Sequence, residues 1–115
     1  MGEFMDDVQE LEFDDIIASD NVTVIDFSAS WCMPCRMLRP IIDRVADKID
    51  DVDIYNLDID DNEDIAKRYR IFSVPTLVCF RSGKKIDSLV GLNTFEEIYD
   101  FIERCKVADL PEDDD

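Results

Sequence analysis

The 115-residue sequence predicts an α/β domain in which a central mixed β-sheet is flanked by helices on both faces. Two observations lead to this fold class. Apolar runs of strand length alternate along the chain with segments of helical apolar spacing, which favours a largely parallel sheet. Later in the chain, two strands follow each other across the turn RSGKK, which adds an antiparallel pair.

The expected elements follow the order β-α-β-α-β-α-β-β-α, with no internal repeat. In chain order they are an edge strand at 7–11, a helix at 12–19, a strand at 21–29, a helix at 30–49, a strand at 51–60, a helix at 62–70, strands at 76–80 and 86–91, and a helix at 93–107.

The elements of the first half are recognised by their apolar spacing. Phe13, Ile16 and Ile17 are spaced to lie on one face of the first helix. The β-branched run 21–29 is typical of a buried strand. The segment 30–49 repeats apolar residues at the helical spacing of 3, 4 and 7, and Pro40 within it should kink the helix. The apolar face of this helix comprises Met37, Leu38, Ile41, Ile42, Val45, Ala46 and Ile49.

The second half carries alternation and capping signals. Residues 51–60 alternate apolar and polar side chains, which indicates a strand. Asn62 is the expected N-cap of the following helix. Thr94 and Glu97 have the spacing of a capping box for the last helix. The apolar face expected for that helix comprises Phe95, Ile98, Tyr99, Ile102 and Val107.

Length and composition fit one domain, which we expect to span 7–107. Residues 1–6 form an N-terminal extension, in which Met5 is a candidate natural start and 1–4 a candidate cloning remnant. Residues 108–115 form an acidic tail. We expect a monomer.

The net charge of −17 comes from 29 acidic and 12 basic residues. A field of this sign repels phosphate backbones, so we expect no nucleic-acid partner. Residues 1–30 carry nine acids and no bases, and residues 91–115 carry nine acids and two bases. This acidity is interpreted as a solubility feature, with a field that selects partners as the alternative.

The acidic N-terminal segment lacks the apolar run of a signal peptide, and no stretch approaches the roughly 20 apolar residues of a membrane span. We therefore expect a cytoplasmic protein that is not bound to a membrane. Thiols in that compartment are mostly reduced, so a C-x-x-C pair there is catalytic or metal-binding rather than structural.

The motif WCMPCR at 31–36 lies between a predicted strand and a predicted helix. Cys32 would therefore lie at a helix N-terminus, where unpaired backbone N–H groups and the macrodipole favour a thiolate. Cys35 follows one turn later, close enough for a disulfide, and Pro34 suits the first turn. A zinc site is the alternative, but the chain has no histidine and no second close cysteine pair, so we expect no metal.

Several stretches together resemble the thioredoxin family over about 7–107. The resemblance has five parts: the acid in VIDF, the WCxPC motif, the proline within the next helix, the VPT step, and the glycines of RSGK and LVG. The family implies a thioredoxin fold and dithiol–disulfide oxidoreductase activity without a bound cofactor. Its partners would be client proteins that contain disulfides and a thioredoxin reductase.

By position, the resemblance implies that Cys32 is the nucleophile, Cys35 the resolving thiol, and Asp26 a buried proton acceptor. A carboxyl within a strand that is covered on both faces should have a raised pKa. The edge-strand alternative would leave Asp26 in solvent. The resemblance also implies a cis-proline at Pro75, and Trp31 beside the motif, packed in the core, in contact with clients, or both. The expected client-binding residues are Trp31, Met33, Pro34, Val74, Pro75 and Gly91.

Three positions depart from the usual family pattern. Met33 stands where the family usually has glycine, which should tune the redox potential. Arg36 replaces the usual lysine and should help to depress the pKa of Cys32. Asn56 stands where many relatives have a lysine, so we expect an even higher pKa for Asp26.

Cys79 lies in an apolar strand and is expected to be a buried, inert thiol. Cys105 lies near the end of the last helix and is expected to be partly exposed. The alternatives to a disulfide reductase are a docking or chaperone-like subunit with a secondary redox role, and an oxidant or isomerase of an exported compartment.

Overall fold

A computed structural model describes residues 4–5 and 10–112. Its elements are β1 (Phe4–Met5), α1 (Glu10–Ile17), β2 (Val22–Ser28), α2 (Met33–Lys48), β3 (Val52–Asp58), α3 (Glu63–Arg68), β4 (Thr76–Arg81), β5 (Lys84–Val90) and α4 (Phe95–Val107). The predicted order of strands and helices is confirmed.

The strands form one mixed sheet in the order β1-β3-β2-β4-β5. β3 pairs parallel with both β1 and β2, whereas β4 pairs antiparallel with β2 and β5. The predicted edge strand at 7–11 differs from the edge strand observed. Of that segment, 7–9 lie outside the described residues and Glu10 and Leu11 belong to α1, while the short strand at the edge is β1.

Helices cover both faces of the sheet, as predicted. Because side chains alternate along a strand, Val22 and Val24 of β2 face α2 and α4, whereas Ile25 and Phe27 face α1 and α3. Burial of each such large apolar side chain contributes about 1.5–3 kcal/mol, so the two clusters hold the layers together.

Of the two predicted N-cap side chains, one makes a capping hydrogen bond and the other does not. Thr94 caps α4 as predicted: its hydroxyl accepts the backbone N–H of Glu97, and the Glu97 carboxylate accepts the backbone N–H of Thr94. Asn62 occupies the N-cap of α3, but its side chain makes no capping hydrogen bond. Its amide instead donates to the carbonyl of Asp58 across 3.0 Å, which ties the end of β3 to the start of α3.

The β4–β5 hairpin closes through Ser82 and Gly83, which both have positive φ angles (55° and 82°). Two consecutive residues with positive φ form a two-residue hairpin loop whose twist matches the twist of the two strands. Arg81, the last residue of β4, donates to the carbonyls of Cys105, Lys106 and Ala108 and thereby ties β4 to the end of α4.

Two predictions about helix faces are wrong. Val107 is exposed rather than part of the apolar face of α4, of which it is the last residue. Met37 is also exposed, although it lies on the predicted apolar face of α2. The helix runs through Pro40 from Met33 to Lys48.

Candidate active site at the start of helix α2

Cys32 and Cys35 form a disulfide in which the Cα atoms are 5.3 Å apart. Cys32 is the N-cap of α2, and its Sγ accepts a hydrogen bond from the backbone N–H of Cys35 across 3.2 Å. The same Sγ lies 3.7 Å from the carbonyl oxygen of Val74. The sulfur of Cys32 therefore occupies the place that a capping oxygen takes in most helices.

The chain between β2 and α2 positions this cap. The backbone N–H of Cys32 donates to the carbonyl of Ala29 across 3.2 Å, which forms a tight turn. The Arg36 guanidinium reaches back from α2 to the carbonyl of Ser30 across 2.9 Å. Pro34 lies in the first turn of the helix, where its missing N–H has no partner to lose.

Asp26 is buried in the middle of β2, with 2% of its surface exposed. Its two-residue spacing from Val24 and Val22 places it on the sheet face that α2 covers. Among the described residues its Oδ1 atom has no hydrogen-bond partner. Burial raises the pKa of the carboxyl to about 7, because the effect of desolvation is larger than the opposing effect of the Arg39 charge.

Arg39 is a site residue that the sequence reasoning missed. It lies on α2 four residues after Cys35, so both point from the same side of the helix. Its positive charge lowers the pKa of Asp26 and thus supplies the cation that Asn56 does not. The spacing from Cys35 was the signal that could have found it.

A cavity of about 310 Å³ adjoins this part of the site. It has room for several water molecules, since one water occupies about 30 Å³ in the liquid. The cavity brings Cys35 together with polar and charged side chains from β2, α2 and β3, namely Ser28, Arg36, Arg39, Asn56 and Asp58.

The Val74–Pro75 peptide bond is cis, and Val74 packs against the cluster of Ala29, Cys32 and Cys35. Gly91 joins this side of the site, because its backbone N–H donates to the carbonyl of Pro75 across 2.8 Å. The φ angle of Gly91 is 95°, a conformation that favours glycine.

Trp31 and Met33 flank the disulfide on the surface, with 68% and 60% of their areas exposed. Trp31 is thus not a core residue, and its indole Nε1 donates to the Asp60 carboxylate across 2.9 Å. Pro34 is likewise exposed. The disulfide therefore lies within an apolar surface that a partner could cover.

The other two cysteines lie away from this surface. Cys79 is fully buried, as predicted. The prediction of a partly exposed Cys105 is wrong: only 2% of it is exposed, because its side of α4 packs on the sheet. Within residues 4–5 and 10–112, no group of three His, Cys, Asp or Glu side chains could hold a metal ion, and no helix is long and apolar enough to cross a membrane.

Comparison with known proteins gives one consistent answer. The thioredoxin family model matches residues 5–104. Thioredoxin H2 of Arabidopsis thaliana is 45% identical over 82 residues, which cover 71% of this chain but only 62% of that relative. This chain therefore spans less than two thirds of the length of that Arabidopsis relative. Thioredoxin-1 of Saccharomyces cerevisiae is 40% identical over 82 residues, covering 71% of this chain and 80% of the relative.

Solved structures agree. A mutant thioredoxin from Halobacterium salinarum superimposes with a TM-score of 0.83 at 33% identity, covering 92% of this chain and 93% of that one. A thioredoxin of Malassezia sympodialis has a TM-score of 0.82 at 32% identity, with coverage of 90% and 91%. With the family match and the disulfide at the start of α2, these findings establish that the chain belongs to the thioredoxin family of thiol–disulfide oxidoreductases and that Cys32 and Cys35 are its redox-active C-x-x-C pair.

Proposed function

We propose that this protein reduces disulfides of client proteins, with Cys32 as the nucleophile and Cys35 as the resolving thiol. The Cys32 thiolate attacks one sulfur of the client disulfide, forms a mixed disulfide and releases one client thiolate. The Cys35 thiolate then attacks the sulfur of Cys32, which releases the second client thiolate and forms the Cys32–Cys35 disulfide. Two electrons pass to the client.

The observation that carries this assignment is the N-cap position of Cys32. In the reduced protein a thiolate there is stabilised by the N–H of Cys35, which points at its Sγ, and by the positive end of the α2 dipole. Cys35 lies inside the first turn, where its sulfur is not in the capping position that stabilises a thiolate. The assignment of the two roles follows from this difference.

Asp26 supplies the proton acceptor for the second step. Its carboxyl pKa of about 7 lies near neutral pH, so a substantial fraction of the carboxyl is ionised and is still basic enough to accept a proton. The cavity beside Cys35 is also lined by Asn56, the ladder neighbour of Asp26, and it has room for a water that relays the proton from the thiol towards the carboxylate. Asp26 therefore acts on the Cys35 thiol through water.

The client lies over the exposed apolar surface around Cys32. The backbone of Val74 faces the Cys32 sulfur, so an extended client segment can pair with it as an added strand does. Pro75 is buried and Gly91 half-buried, so they act through the backbone that they hold beside Val74, where the Gly91 N–H donates to the carbonyl of Pro75. Trp31, Met33 and Pro34 contribute exposed apolar area beside the disulfide.

Membership in the family implies client proteins with disulfides and a thioredoxin reductase that restores the dithiol. We further propose that the protein is a cytoplasmic monomer, with a domain at 7–107 and an acidic tail at 108–115. The first tail residues contact the domain, since the Lys84 amine donates to the carbonyl of Pro111 across 3.3 Å.

Met33, the residue after Cys32 in the WCMPC motif, has only a small effect on the reduction potential of the pair. The side chain is apolar, uncharged and mostly exposed, and it provides no strong donor to a thiolate. The reducing character of the pair therefore persists, and Met33 acts chiefly through contact with clients.

The proposal is tested by turnover of a protein disulfide, such as those of insulin, with a dithiol as electron source. The wild type should accelerate reduction, whereas Cys32→Ser and Cys35→Ser should not exceed the uncatalysed rate. Cys79→Val is the matched control, because it removes a cysteine that lies outside the pair. If Cys32→Ser can replace the wild-type protein in cells without loss of function, the protein does not need its nucleophile, and the docking-subunit alternative is correct instead.

A further inference from the structure

Cys79 and Cys105 take no part in the proposed exchange reaction, yet the fold brings them together. Cys79 lies within β4 and Cys105 in the last turn of α4. Both are buried in the core cluster between the sheet and the helices α2 and α4, and neither belongs to a disulfide. In the β4–β5 ladder Cys79 lies opposite Asp87, and Asp87 lines the same cavity as Cys105, so the two cysteines are neighbours in the core.

The two thiols are chemically unequal. Interaction with Cys79 lowers the pKa of Cys105, whereas burial and interaction with Cys105 raise the pKa of Cys79. The Arg104 and Arg81 guanidinium groups also favour a thiolate at Cys105, while burial and the Asp87 carboxylate oppose it. Cys79 is therefore the protonated member and Cys105 the nucleophilic member of the pair.

Small molecules have a route to Cys105. A cavity of about 190 Å³ is lined by Ile86, Asp87, Arg104, Cys105 and Ala108. A peroxide is little larger than a water molecule, which occupies about 30 Å³, so it fits this space. A protein disulfide does not fit, because only 2% of Cys105 is exposed.

We propose that Cys79 and Cys105 form a second redox couple, which hydrogen peroxide oxidises to an intramolecular disulfide between β4 and α4. The Cys105 thiolate attacks one peroxide oxygen, the O–O bond breaks, and hydroxide leaves and takes up a proton to become water. The sulfur of Cys79 then attacks the sulfenic acid on Cys105. The S–O bond breaks, and the hydroxyl leaves with the Cys79 proton as water. Two electrons have passed from the two thiols to the peroxide.

The test uses the full chain with Cys32→Ser and Cys35→Ser, so that only Cys79 and Cys105 remain. The protein is treated with hydrogen peroxide, denatured and alkylated with iodoacetamide. The expected product is a monomer that has lost two hydrogens, about 2 Da, and takes up no alkyl group. Because the active-site pair is absent, the result does not depend on the function proposed above.

Two further variants in this background assign the order of events. Cys79→Val should leave a sulfenic acid at Cys105 that dimedone captures. Cys105→Ala should leave Cys79 reduced at the same peroxide dose. Near-UV circular dichroism establishes that each variant is folded; if either is not, peptide mapping of the parent background shows whether Cys79 and Cys105 are linked. The proposal is overturned if both thiols remain open to alkylation, if the disulfide joins two chains, or if folded Cys105→Ala reacts as fast as its parent.

Discussion

Asp26 on β2 and Asn56 on β3 are direct neighbours in the parallel ladder between these strands. Asn56 is uncharged, and its Oδ1 accepts the hydroxyl of Ser28 across 2.7 Å. The positive charge that acts on Asp26 comes from Arg39 on α2 instead. Because desolvation outweighs that charge, the pKa of Asp26 is raised, and this has consequences for stability and for catalysis.

Replacement of Asp26 by Asn should stabilise the oxidised protein at high pH. The carboxyl pKa rises from 3.8 to about 7 on folding, so the folded protein binds more protons than the unfolded chain within that window. Its stability therefore falls as pH rises from about 4 to 7. Above pH 7 the variant should be the more stable by up to about 4 kcal/mol, at about 1.4 kcal/mol for each pKa unit.

Guanidinium unfolding of both proteins at several pH values, with the disulfide intact, gives this difference. The advantage of Asp26→Asn should shrink as pH falls towards 4. An advantage that is independent of pH would mean that packing, rather than the buried charge, is responsible.

Replacement of Arg39 by Gln should raise the pKa of Asp26 further, because it removes the charge that opposes desolvation. Carboxyl-carbon NMR titration measures this pKa directly. Arg36→Gln is the matched control, since Arg36 is an exposed arginine of the same helix that is bonded to the carbonyl of Ser30. An unchanged or lower Asp26 pKa in Arg39→Gln would show that the guanidinium does not act on this carboxyl.

Replacement of Thr94 by Ala should destabilise the protein by about 1 kcal/mol, because the backbone N–H of Glu97 loses its capping oxygen. Thr94→Ser keeps the hydroxyl and should cost only a few tenths of that amount. The free energies of unfolding of the wild type, Thr94→Ala and Thr94→Ser measure these two losses. Equal losses for Ala and Ser would mean that the methyl group, not the cap, stabilises α4.

Replacement of Met33 by Gly should shift the reduction potential by no more than about 30 mV, which corresponds to about 1.4 kcal/mol. The side chain is uncharged and 60% exposed, so it changes little in the surroundings of the sulfurs. Equilibration against glutathione measures the potential, and Met37→Ala, another exposed methionine of α2, is the control. A shift well beyond this scale would assign Met33 a direct role in setting the potential.

Local patterns were sufficient to predict most of the fold. The β-branched run around Asp26 became β2, and the spacing of Thr94 and Glu97 became a real capping box. Errors arose where tertiary contacts decide the outcome. Asn62 has the right residue type and position for a cap, but its amide bonds to the carbonyl of Asp58 instead.

The site was predictable only in part, for a similar reason. The positions of Cys32 and Cys35 follow from a motif that is continuous in the sequence. Arg39 belongs to no motif, and its influence on Asp26 depends on how α2 lies across the sheet. Cys79 and Cys105 are neighbours in the core although they lie far apart in the chain, so no local pattern could have revealed this.

The most direct test of the central claim is to trap the mixed disulfide. Reduced Cys35→Ser and reduced Cys32→Ser are each mixed with a peptide that contains one disulfide, and the adducts are mapped by mass spectrometry. The account predicts that Cys35→Ser rapidly forms one stable adduct on Cys32, at one peptide per protein, because the thiolate at the N-cap attacks and no second thiol resolves it. Cys32→Ser should form no adduct in the same time. An adduct that forms on Cys35 as fast as on Cys32 would contradict the assignment of Cys32 as the nucleophile.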